Sequence, residues 1–114
     1  MPITTFEIIT KPIKAADKQT AIMLFSKIEP SKRIITTDLI IKYFALVHNI
    51  KLTPPKIRAM IHYLRTEHHA PIIGTSKGYH MAKNQAELND QIKSLEQRAR
   101  SIQFVADALK LITI

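Results

Sequence analysis

Residues 36–82, TTDLIIKYFALVHNIKLTPPKIRAMIHYLRTEHHAPIIGTSKGYHMA, decide how this chain is read. Thr36 or Thr37 can accept an orphaned N–H at a helix start, and Asp38 suits the positive first turn that follows. Leu39, Ile40, Tyr43, Phe44 and Val47 then recur as one broad apolar helical face. Asn49 tolerates the left-handed conformation in which helices end. Thr53 opens the next helix with a capping hydroxyl, and Pro54 stands at the first helical position, where a missing N–H does no harm. Ile57, Met60, Ile61 and Leu64 form its core face, with Lys56, Ala59, His62 and Thr66 on the others. Only Asn49 to Leu52 separates the two helices, the spacing of a helix-turn-helix. The period then changes. Pro71–Gly74 and Tyr79–Ala82 flank Thr75-Ser76-Lys77-Gly78, a hairpin pattern in which Gly78 is available for a positive φ.

Upstream, residues 15–29 read as a helix with Ala21, Leu24, Phe25 and Ile28 facing the core, ended by Pro30. Ile34-Ile35 fits a very short strand. Residues 1–14 fit either a short strand through Phe6, Ile8 and Ile9 or an arm carrying Lys11 and Lys14. Downstream, Asn84 and Glu87 form a capping-box pair. One helix without Pro or Gly then runs to about Ile112. Leu88, Ile92, Leu95, Ala99, Ile102, Ala106 and Leu109 recur in it at steps of four and three, a heptad seam. Such a seam pairs two chains or lies back on residues 21–28 and 39–47 of its own chain. Its length beyond a three-helix core favours a symmetric homodimer, widened by Phe104, Val105 and Leu111.

Length and composition bound the rest. A chain of 114 residues fits one domain, and 46% hydrophobic residues exclude a fully disordered chain. With no cysteine there is no disulfide or thiolate chemistry. No apolar run approaches the ~20 residues that span a bilayer, and MPITTFEIITK lacks the basic and apolar pattern of a signal peptide. The expected setting is the cytoplasm. Charge is uneven: residues 1–82 hold twelve Lys and Arg against five Asp and Glu, whereas residues 83–114 hold five against four. The first part carries nearly all of a positive field that draws polyanions.

The order helix, helix, helix, hairpin is that of a winged helix. On its residues, the stretch resembles the winged helix-turn-helix DNA-binding domains of small phage and prophage proteins and of biotin-repressor-type bacterial regulators. Thr36, Thr37 and Leu39 match the opening of the motif's first helix, with one fewer intervening residue. Ile57, Arg58, Ile61, Leu64 and Arg65 match the recognition-helix pattern, and Pro71, Ile72, Lys77, Gly78, Tyr79 and Met81 match the wing. The turn lacks a Gly, and Thr53-Pro54-Pro55 departs from the usual helix opening. The resemblance covers roughly residues 20–82 and implies a double-stranded DNA binder of phage or mobile-element type in a bacterial or phage-infected cell. Regulation of transcription is the leading role, with a replication-associated role as the alternative.

Side-chain chemistry supports the same expectation, since a helix fits the major groove and basic groups meet phosphate. The expected DNA-binding set is Lys51, Thr53, Lys56, Arg58, Ala59, His62, Thr75, Ser76 and Lys77. Tyr79 is expected to pack on the third helix, and Arg65 to bridge to the chain's own acidic residues. His62, His68, His69 and His80 could meet, but without cysteine or an HExxH motif no metal site is expected. No local nucleophile motif or Gly-rich phosphate loop occurs, so neither an enzyme nor a cofactor is expected. A different class remains open, a protein-interaction module using the same surface or the long helix. A basic stripe on the third helix and hairpin favours DNA, and an apolar patch there favours a protein.

Overall fold

The computed structural model describes residues 13–31 and 33–114. It is a mainly helical fold with a small three-stranded sheet and a long final helix. In chain order the elements are α1 (Ala15–Ile28), β1 (Ile35–Thr36), α2 (Thr37–His48), α3 (Pro54–Glu67), β2 (Ile72–Gly74), β3 (Gly78–Met81) and α4 (Gln85–Lys110). The alternatives for the first segment fall on residues 1–12, outside the described residues.

The helix boundaries are set by the side chains that the sequence offers. The Thr36 hydroxyl accepts from Leu39 N at 3.2 Å and caps α2. Asn49 ends that helix at φ 53°, ψ 39°, and Ile50 N donates back to Phe44 O at 3.0 Å. The Thr53 hydroxyl accepts from Lys56 N at 3.4 Å, with Pro54 opening α3. At α4, Asn84 Oδ1 accepts from Glu87 N at 2.9 Å. The returning bond of the expected capping box is displaced by one residue: Glu87 Oε1 accepts from Lys83 N, not from Asn84 N. The α3 exit carries no Gly or Asn. His69 adopts φ 52° instead, and Ala70 N donates to Leu64 O at 3.0 Å.

The strands align as β1-β3-β2, all antiparallel. Ile35 faces Tyr79 and Thr36 faces Gly78, while Ile72, Ile73 and Gly74 face Met81, His80 and Tyr79. Gly78 does not take the expected positive φ, since neither glycine does. Its role is close approach. A Cβ there would stand 2.7 Å from the Ile35 carbonyl carbon and Thr36 Cα, and closer still to Ile35 O. The hairpin tip is closed by Thr75, whose hydroxyl accepts from Lys77 N and Gly78 N, both at 3.1 Å.

α1 packs along α3, and the core joins Ala21, Leu24 and Ile28 to Ile40, Phe44, Leu52, Ile57, Met60, Ile61, Leu64 and Ile72. Two members of the expected α2 core face depart from it. Leu39 and Val47 are exposed, because α2 is buried only on the stripe through Ile40 and Phe44. Phe25 packs against the core only partly buried. α4 meets the rest of the fold chiefly at β2. No helix among the described residues is long and apolar enough to cross a membrane.

Candidate nucleic-acid interface

Helical geometry places positions 58, 62 and 65 on one side of α3, because steps of four and three return to one face. Arg58, Ile61, His62 and Arg65 from that side form one wall of a cleft of about 520 Å³. Gly74, Thr75, Ser76 and Tyr79 of the hairpin form its floor, and Gln91, Ser94, Leu95 and Arg98 of α4 form the second wall. The floor is the outer edge of β2, a strand paired on one side only among the described residues. An open edge presents unpaired backbone groups, and two long side chains meet them here. Arg65 donates Nε–H and Nη2–H to Ile72 O at 3.1 and 2.9 Å. Gln91, buried although polar, accepts Gly74 N–H on its Oε1 at 2.6 Å. At the hairpin base, His80 Nδ1 lies 3.8 Å from Glu87 Oε1, tying the second strand to the start of α4.

Among the described residues Arg65 therefore does not bridge to an acidic side chain. Its partner is a strand-edge carbonyl, whose position within reach of α3 depends on how the hairpin folds back. Desolvation pulls the Arg65 pKa below its ordinary value. The nearby Tyr79 opposes this shift and Arg98 adds to it. Tyr79 packs against the core, as expected, and burial raises its phenol pKa while Arg65 and Arg58 oppose the rise.

The expected DNA-binding residues are placed differently from one another. Arg58, His62, Thr75 and Ser76 line the cleft together. Lys51, Lys56 and Lys77 are exposed outside it, on the interhelical turn, another face of α3 and the hairpin tip. Thr53 and Thr75 already spend their hydroxyls on the helix cap and the turn, and Ala59 is half-buried. Arg58 also interacts within the chain. Arg98, Ser94 and Gln91 stand in the same cleft without having been singled out from sequence. The 58-62-65 stripe was legible as a helical spacing, whereas no local pattern marks the α4 residues, because they arrive through tertiary packing.

The surface around these residues has a definite character. Every large apolar side chain exposed among the described residues lies on α1, α2, α4 or their flanks, and none lies on α3 or the hairpin. No group of three or more His, Asp or Glu close enough to hold a metal ion is found among the described residues. His68 instead lies 3.0 Å from the Tyr63 hydroxyl. The chain matches no known protein family, and comparison with curated proteins and with solved structures returns no match.

Proposed function

We propose that this protein is a winged helix-turn-helix protein that binds double-stranded DNA through α3 and the β2–β3 hairpin, as a non-enzymatic regulatory protein. The observation that carries the reading is the contrast between its surfaces. α3 bears Arg58 and His62 on one face and Lys56 on another, the turn before it Lys51 and the hairpin tip Lys77, and neither α3 nor the hairpin exposes a large apolar side chain. That is the character of a surface for phosphate and base edges, and the opposite of a protein-binding patch. A capped helix of 14 residues, joined to its predecessor by a tight turn, presents Lys56, Arg58 and His62, and such a helix fits the major groove. The hairpin tip then puts Lys77 where it can meet the flanking backbone. The apolar exposure on α4 fits a second role, pairing of two copies, so that two α3 helices address successive turns of one site.

The test is duplex binding across a salt series. Each neutralised phosphate contributes a slope of about −0.9 in log affinity against log salt. The four cations Lys51, Lys56, Arg58 and Lys77 therefore give an expected slope of about −4. Substituting Lys77 with Ala weakens all duplexes alike and flattens the slope by about 1. Absence of binding at low salt, or a salt-independent affinity, overturns the reading.

A further inference from the structure

Three guanidinium groups from two helices converge on the cleft, Arg58 and Arg65 from α3 and Arg98 from α4. No Asp or Glu is found among the described residues that line it. Arg65 is the most constrained of the three. Its two hydrogen bonds go to a neutral carbonyl and use two of the five N–H donors that a guanidinium carries. Burial and the proximity of Arg98 both act against its charged form. Arg58 already has a partner within the chain; for Arg65, a partly buried cation beside Arg98, the charged form is costly unless an anion joins the pair. Guanidinium forks match phosphate oxygens in spacing and plane, and Ser76 on the floor and Ser94 on the α4 wall add hydroxyl donors. The remaining lining, Ile61, Tyr79 and Leu95, is largely apolar. The cleft volume falls within the range of roughly 300–1,000 Å³ typical of small-molecule sites.

We propose that this cleft is a phosphate-ester site, in which Arg65 and Arg98 grip the phosphate and Ile61, Tyr79 and Leu95 accommodate the group esterified to it. The phosphate can belong to the backbone of a bound duplex, in which case the site extends the DNA reading above, or to a free ester of nucleotide size. In both cases α4 becomes part of the binding machinery, which a helix-turn-helix with its hairpin would not require.

The experiment uses the full chain as wild type, as Arg98→Gln and as Lys93→Gln. Arg98 and Lys93 are both exposed on α4, but only Arg98 lines the cleft. Inorganic phosphate and adenosine monophosphate are titrated to millimolar concentration while amide NMR shifts are followed, and duplex affinity is measured on the same three proteins. Saturable shifts centred on Gly74, Ser94 and Arg98 are expected, with affinity reduced about tenfold in Arg98→Gln and unchanged in Lys93→Gln. If the natural phosphate is DNA's, Arg98→Gln also weakens duplex binding and lowers the magnitude of its salt slope by about 1. If it is a free ester, ester binding falls while duplex affinity is unchanged. Shifts that Arg98→Gln leaves unaltered overturn the site. So does the absence of saturable shifts together with wild-type duplex affinity in Arg98→Gln. Should no duplex bind at all, the phosphate and adenosine monophosphate titrations still decide the cleft, so its fate and that of the DNA reading stay separable.

Discussion

Single residues here act mostly through backbone geometry, and Gly78 is the sharpest case. Its hydrogen lies where strand β3 passes closest to Ile35 and Thr36, so a methyl group meets backbone on the neighbouring strand and not a movable side chain. Relief requires β1 to move away, which also disturbs the start of α2, because Thr36 is both a strand residue and the α2 cap. Gly78→Ala is therefore expected to destabilise the protein by roughly 1–3 kcal/mol, as overpacking of a tight site does. The check is the midpoint of urea unfolding at an unchanged m-value; an unchanged midpoint would show that the β1–β3 pairing tolerates the methyl. A glycine followed by Tyr was readable as a turn signal, but the physical demand was misassigned. Sequence shows that a side chain is missing, and only the register of Thr36 against Gly78 shows whether conformation or space requires it. His69 is the reverse case. It holds the left-handed position after α3 that Gly or Asn usually takes, and so no residue type marked it in advance.

Among the elements, legibility followed how local the determinants were. Both α2 boundaries and the start of α3 were readable because Thr36, Asn49, Thr53 and Pro54 act on their own helices through bonds spanning a few residues. The hairpin was readable for the same reason, its tip being closed by Thr75 on Gly78. The α4 seam was only half readable. Its period was clear, but a heptad pattern does not say which stretch of the helix meets which partner. The structure divides it. The first half docks on β2, with Gln91 buried against Gly74. The seam itself is covered unevenly: Ile92 and Leu95 are exposed in that first half, Ile102 and Ala106 beyond Ala99 are half-buried, and Leu109 is 60% exposed. Leu95 proves to line the cleft, so it is a poor probe of dimerisation. The cleft itself was the least legible feature, since Arg65 and Arg98 stand 33 positions apart in sequence and meet only because α4 covers the β2 edge. Gln91 carries that docking, which gives a direct expectation. Removing its side-chain acceptor in Gln91→Ala leaves the Gly74 N–H without its partner, at a cost of about 1–3 kcal/mol. Hydrogen exchange should show the Gly74 amide protected in the wild type and fast in the variant, while amides of α1 keep their protection. Equal protection at Gly74 in both would mean that α4 is held on the hairpin by something other than this bond.

At the scale of the whole molecule, α4 is too long for the body it leaves. Its 26 residues extend about 39 Å at 1.5 Å per residue; among the described elements it docks chiefly on β2, and Phe104, Val105 and Leu109 of its second half stand exposed. The second half is apolar on two sides. At about 100° per residue, Val105 and Leu109 continue the side that carries Gln91 and Ile102, whereas Phe104, Ala108 and Leu111 form a stripe on the far side. Phe104 is 75% exposed and Leu111 86% exposed, so this second stripe is more uncovered than the first, where Ile102 is half-buried. Exposed apolar stripes of this size mark a contact with a partner, and a second copy of the chain brings matching stripes by symmetry. A two-stranded coil would cover the Leu109 stripe alone; enclosing Phe104 as well requires a broader contact, with the two α4 ends embedded against more than one partner element. The two stripes therefore separate the possibilities. Sedimentation equilibrium of the wild type across a concentration series is expected to show a dimer. Phe104→Asp and Leu109→Asp are each expected to weaken it about hundredfold, because either places a charge in an apolar contact. Both sites are exposed in the isolated chain, so each variant should keep its helical signal and its unfolding midpoint measured at low concentration. If Leu109→Asp alone is disruptive, the interface is a simple seam and the far stripe is left to another partner. A wild type that stays monomeric at high micromolar concentration removes the dimer, and with it the placement of two α3 helices on one duplex, while leaving single-site binding through α3 and the hairpin to be judged on its own salt dependence.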